Sequence, residues 1–100
     1  MITKKLTVLN SSGFHVRSAS AVCKLAMGSS SKVTLSKGSA KADCKSCLEL
    51  LSLMAPQGTE LELVVQGDDE NYVASSIEEL FKNKFNENEP ACNVALDAVN

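Results

Sequence analysis

The sequence predicts an α/β open-faced sandwich, in which amphipathic helices cover one face of an antiparallel sheet. Two observations carry that expectation. Apolar residues recur with a period that switches between the strand and the helix value, in the order strand, helix, strand, strand, helix, strand, helix. Each strand stretch is apolar on one side only, so the sheet needs cover on that face and each helix needs an apolar surface to lie on. The 100 residues, 44% of them hydrophobic, suit one small domain without staples.

Residues 2–9 read as the first strand, with Leu6 and Val8 on one face and Lys5 and Thr7 on the other. It runs into the polar turn Asn10-Ser11-Ser12-Gly13. From Val16 to Met27, apolar Val16, Ala19, Cys23 and Met27, flanked by Val22 and Ala26, recur at helical steps, and Gly28 stops the helix. Ser29-Ser30-Ser31 is a short connector.

Val33 and Leu35 alternate with polar neighbours to give a second strand, and Lys37-Gly38 turns into a weaker third one holding Ala40 and Ala42. Ser46 to Met54 reads as a short helix whose apolar residues, Cys47, Leu48, Leu50, Leu51 and Met54, form a band wider than one buried stripe requires. Part of that band is therefore expected at the surface. Leu61, Leu63 and Val65 mark the last strand. Asp68 or Asp69 is placed to cap the final helix, with Val73, Ile77, Leu80, Phe81 and Phe85 on one apolar face. The domain is expected to span residues 1–85, leaving a flexible extension at 86–100 that begins with Asn86-Glu87-Asn88-Glu89-Pro90.

Composition excludes several roles. A formal charge of −2 argues against a nucleic-acid binder, which needs a basic excess. No apolar run is long enough to span a bilayer, and Met-Ile-Thr-Lys-Lys enters a strand pattern without a secretory h-region, so a cytoplasmic chain is expected. Its four cysteines then read as thiols. Cys44-Lys45-Ser46-Cys47 is a C-x-x-C, a spacing used by redox pairs and half zinc sites, but it has no second pair at ligand spacing, which favours structural or incidental thiols. No metal and no cofactor are expected.

The chemistry concentrates at Gly13-Phe14-His15-Val16-Arg17-Ser18-Ala19-Ser20, which holds the chain's one histidine. A residue just before a helix faces unpaired backbone N–H groups and the positive end of the helix dipole, which stabilise an anion. Imidazole adds a nucleophile and Arg17 a forked, permanently charged donor. The His-x-Arg spacing alone favours a plain helix cap or a solvated histidine.

The wider segment resembles the signature of the HPr family, the histidine-containing phosphocarriers of the bacterial sugar phosphotransferase system. A second matching segment is Lys45-Ser46-Cys47-Leu48-Glu49-Leu50-Leu51-Ser52-Leu53. The resemblance covers roughly residues 1–85 and implies a four-stranded antiparallel sheet covered by three helices. It implies that His15 accepts a phosphoryl group from phosphoenolpyruvate through enzyme I and passes it to a IIA component, with Arg17 and the amides near Val16 and Arg17 orienting it. It places a regulatory phosphorylation at Ser46, made by a dedicated HPr kinase/phosphorylase in some bacteria, and a partner-docking patch at Lys24, Cys47, Leu48 and Leu51. Such a chain is a monomeric carrier rather than a self-sufficient enzyme, its catalytic groups supplied by partners. Two positions depart from the pattern: Ser18 stands where the family usually has proline, and Met54 where it favours glycine. Two other readings are a regulatory interaction module switched by phosphorylation, and a small thiol or metal-binding domain.

Overall fold

A computed structural model describes residues 1–86 of the chain. The elements are β1 (Ile2–Thr7), α1 (Val16–Met27), β2 (Lys32–Lys37), β3 (Ala40–Asp43), α2 (Cys47–Ser52), β4 (Glu60–Gln66) and α3 (Glu70–Lys82), followed by a short 3-10 turn at Lys84–Asn86. The expected α+β sandwich is what forms. Its four strands lie in the order β1-β4-β2-β3 with every neighbouring pair antiparallel. Residues 87–100, where most of the expected C-terminal extension falls, lie outside the described residues.

Register puts the apolar alternation on one face. Leu6 pairs with Leu61, Leu35 with Leu63 and with Ala42, and Val33 with Val65, and all of these side chains are buried. Val8 is buried as well, although β1 ends at Thr7, two residues before the expected limit. The chain leaves the ladder there because the Val8 N–H donates to the Thr59 carbonyl while its own carbonyl accepts from Gly58 N–H, outside the strand pairing. On the edge strand, Lys4 shares the inward parity of Leu6 and reaches Glu78 of α3 at 3.2 Å. An inward charge of this kind discourages edge-to-edge association.

Helix faces differ from the expectation in instructive ways. The buried stripe of α1 is Ser18, Ala19, Val22, Cys23 and Ala26, whereas Val16 and Met27 are 63% and 66% exposed. Both sit on the flank that Ser20 and Lys24 share by four-residue steps, away from the sheet. In α2, Leu50 and the C-cap Leu53 are buried, while Leu48 is 80% exposed. The wide apolar band is thus divided between core and surface.

Met54 takes a positive φ of 50° just past the end of α2, where its N–H closes onto the Leu51 carbonyl. That conformation is the usual helix-terminating one, and it is the reason glycine suits the position. Phe85 does not continue the α3 face. The helix stops at Lys82, and positive φ at Lys84 and Phe85 turns the Phe85 ring back to within 4.9 Å of the Phe81 ring centroid.

The N-cap of α3 is Asp69, yet its carboxylate caps nothing in its own helix. It accepts instead from the Ser31 hydroxyl, the Ser29 hydroxyl at 3.0 Å and the Ser30 N–H at 3.2 Å. The serine connector after α1 is therefore tied to the start of α3. These hydrogen bonds, led by Ser31, hold the Asp69 carboxyl below its ordinary pKa. A group depressed in the folded state contributes stability that is present above its unfolded pKa and lost as pH falls through the folded value. Asp69→Asn should therefore melt lower than the parent at neutral pH, with the gap closing in acid below the ordinary carboxylate range of about 3.9. Melting curves across that range check it, and a gap independent of pH would show that the charge is not what holds the serines.

Candidate functional site

The loop between β1 and α1 is fixed by contacts from distant parts of the chain. Gly13 has φ +75°, and a Cβ there would lie 3.0 Å from both the Ala55 carbonyl oxygen and the Pro56 Cα. Only a residue without a side chain fits that approach. The next N–H, of Phe14, donates to the Ala55 carbonyl at 2.8 Å, and Gln57 Nε2 donates to the Leu9 carbonyl at 3.0 Å. The Phe14 ring is buried and stacks on Phe81 at 6.1 Å and meets the edge of Phe85 at 6.0 Å. The backbone leading into the histidine is thus anchored.

Two polar side chains, one in the loop and one in the first turn of α1, complete the anchor. Asn10, fully buried, donates from Nδ2 to the Gly13 carbonyl at 2.6 Å, and buried Ser18 donates to the same carbonyl at 3.4 Å. The sequence assigns Asn10 only to the polar turn, since one asparagine in a turn carries no signal that its side chain will be buried. Ser18 uses its hydroxyl to tie the first helical turn back to the loop, a contact proline cannot make.

His15 is the N-cap of α1, in extended conformation at φ −127°. Its Nδ1 accepts from the Arg17 N–H at 3.2 Å, and its carbonyl accepts from Ala19 N–H at 2.8 Å. An acceptor nitrogen carries no proton, so the neutral ring places its hydrogen on Nε2 and keeps the Nδ1 lone pair directed at the helix N-terminus. The ring is half-buried, and Val16 and Arg17 beside it are exposed. Nδ1 therefore faces the first-turn N–H of Arg17.

The other sequence-predicted residues lie on α1 and α2, which pack together. Lys24 is exposed and Cys47 half-buried, and with Ser20, Cys23 and Met27 they line a groove of about 310 Å³. Leu48 projects into solvent and Leu51 is half-buried. The α1 flank that carries Lys24 starts at Val16, next to His15, and eight residues of helix put the groove about 12 Å along the axis. Ser46 is the N-cap of α2: its hydroxyl accepts from Glu49 N–H at 3.4 Å, and Glu49 in turn accepts from Asp43 N–H at 2.9 Å. The two cysteines of the C-x-x-C differ, since Cys44 is fully buried with its thiol pushed up to about 12 by desolvation. Among the described residues no group of three or more His, Cys, Asp or Glu side chains is arranged to hold a metal. Among the same residues no helix is long and apolar enough to cross a membrane.

Fold and site together define a small α+β protein that presents a single histidine, acceptor nitrogen inward, at a helix N-terminus. Comparison with known proteins makes the class specific. The family description "PTS HPr component phosphorylation site" matches residues 2–83. The phosphocarrier protein HPr of Treponema pallidum is 40% identical over 87 residues, covering 87% of this chain and 99% of that protein. HPr of Xylella fastidiosa is 33% identical over 87 residues, covering 87% and 98% respectively. The crystal structure of an HPr from Thermoanaerobacter tengcongensis superposes with a TM-score of 0.83 at 30% identity, covering 87% of this chain and 98% of that one. The chain belongs to the HPr family of phosphocarriers of the phosphotransferase system.

The local geometry yields a stability prediction. Gly13→Ala imposes a left-handed backbone on an L-residue and drives a methyl group against the Ala55–Pro56 backbone, which should cost about 2 kcal/mol or more. Denaturant titration measures it, and an unchanged midpoint would mean that the loop moves aside freely.

Proposed function

We propose that His15 is the phosphoryl acceptor, taking the group from phosphoenolpyruvate through enzyme I and handing it to a IIA component for sugar uptake. The observation that carries this reading is the Nδ1 lone pair facing the Arg17 amide at 3.2 Å. Neutral imidazole attacks phosphorus through its unprotonated nitrogen, so Nδ1 is the proposed atom. Once phosphorus occupies that lone pair, the Arg17 N–H is left facing the phosphoryl oxygens rather than the ring. The helix dipole favours the negative charge, at about 0.3–1 kcal/mol for an exposed group. This is support, and it is weak enough for the group to leave again.

Arg17, exposed at the second helical position, brings a permanent positive charge to the same turn. In this reading its guanidinium lies against phosphoryl oxygens or steers the carrier to acidic partner surfaces. Lys24, Cys47, Leu48 and Leu51 form the docking patch, and the 80% exposure of Leu48 supports that role because a core leucine would be covered. The carrier works as a cytoplasmic monomer, and its partners supply the remaining catalytic groups. Ser46 is the regulatory acceptor, already positioned at a helix cap where added phosphate is tolerated locally.

Incubation with phosphoenolpyruvate and the enzyme I of the same organism should add one acid-labile phosphoryl group by intact mass. His15→Ala should abolish that gain while its melting curve stays cooperative. Full labelling of the variant would assign the acceptor elsewhere, and no labelling of the parent would favour the regulatory interaction module. For Ser46, an acidic group at the α2 cap should leave the fold intact but repel acidic partners beside the exposed Leu48. Ser46→Asp is therefore expected to slow phosphoryl transfer to His15 at matched stability. Equal rates would leave Ser46 as a cap, a contribution of about 1 kcal/mol.

A further inference from the structure

The cysteines, none of which takes part in the phosphoryl chemistry, are not equivalent. Cys23 lies midway along α1 and Cys47 is the first residue of α2, so the two approach across the junction of separate helices. Across that junction Cys47 is the α2 residue that lines the same groove as Cys23. Both residues line the groove of about 310 Å³ shared with Ser20, Lys24 and Met27, so small solutes reach them. Cys44, by contrast, is fully buried in the core cluster.

The pair that shares the groove is therefore not the one that sequence spacing suggests. In the C-x-x-C, Cys44 faces the core while Cys47 faces α1, so solvent access is unequal between the two. Exposure also orders the two groove thiols. Cys47 is half-buried, whereas Cys23 is 8% exposed and burial holds its thiol above the ordinary value. An incoming oxidant meets Cys47 first, and Cys23 lines the same groove from the facing helix.

We propose that Cys23 and Cys47 form a reversible disulfide across the α1–α2 junction when the chain meets a peroxide, making this groove an oxidative modification site. In the first step the Cys47 thiolate attacks a peroxide oxygen, the O–O bond breaks, and Cys47 becomes a sulfenic acid. The second peroxide oxygen leaves as hydroxide and takes up the thiol proton as water. Cys23 sulfur then attacks the sulfenic sulfur, the S–O bond breaks, and a second water carries away the Cys23 proton. The sulfurs lose two electrons and hydrogen peroxide gains them; a dithiol reverses the bond by exchange. The bridge pins α1 to α2 in the groove that Lys24 lines. Its effect on phosphoryl transfer rests on the reading of this face as the docking surface.

The test begins without any partner protein. The reduced full-length chain is treated with hydrogen peroxide, its free thiols are blocked, and an unreduced digest is mapped by mass. The expected result is the loss of two hydrogens and a peptide linking Cys23 to Cys47 that dithiothreitol cleaves. The link should persist in Cys44→Ser and vanish in Cys23→Ser, where Cys47 should instead run on to the sulfinic acid. A Cys44–Cys47 link, a link through Cys92, sulfinic acid at Cys47 of the parent without a bridge, or unreacted thiols would each overturn the proposal. Phosphoryl acceptance from enzyme I is then compared in oxidised, reduced and re-reduced protein, with oxidation expected to slow it severalfold. An unchanged rate in bridged protein would refute the docking consequence but not the site. Failure of the reduced parent to be labelled would instead count against the carrier reading, with the mapped link unaffected.

Discussion

The site depends on one steric constraint, the approach of Gly13 to the backbone of Ala55 and Pro56. At φ +75° and with 3.0 Å to both atoms from any added Cβ, the chain can pass only if that residue has no side chain. The Phe14 N–H then reaches the Ala55 carbonyl, and the Phe14 ring packs against the Phe81–Phe85 pair. His15 is left as the first residue that can face outward, in the extended backbone that an N-cap requires. Its half-buried ring is a consequence of that seat rather than of any pocket of its own.

From that seat the rest of the structure divides its work by depth. Leu50 and Leu53 of α2, and Ala19, Val22 and Ala26 of α1, cover the sheet. Val16, Met27 and Leu48 remain outside, although burying each would add about 1.5–3 kcal/mol of hydrophobic stabilisation. A chain of this size has little stability to spare. Apolar side chains kept in water on adjoining helices are consistent with a surface that is covered by other proteins.

Much of this was legible before any coordinates. Strand alternation identified Leu6, Val33, Leu35, Leu61, Leu63 and Val65 as one face, and all of them are buried. The limits of α1 were readable because a turn precedes it and Gly28 follows it. Contacts between distant residues were not readable: the tie of Asp69 to Ser29, Ser30 and Ser31 and the packing of Gly13 on Ala55–Pro56 depend on how the strands are ordered, which periodicity does not encode. Phe85 was placed on the α3 face because no glycine or proline marks the end of the helix, and positive φ at Lys84 and Phe85 has no sequence signal. For the same reason the C-x-x-C draws attention to Cys44 and Cys47, while the cysteine that shares a groove with Cys47 is Cys23, on another helix.

The central claim is that the seat built by Gly13 and Phe14 selects one ring nitrogen of His15 by turning it toward the helix amides. Nitrogen-15 NMR of the phosphorylated, isotopically labelled protein tests it directly, because coupling to phosphorus marks the nitrogen that carries the group. The account predicts coupling at Nδ1. Coupling at Nε2 would contradict it, since that nitrogen is the one the helix amides do not face.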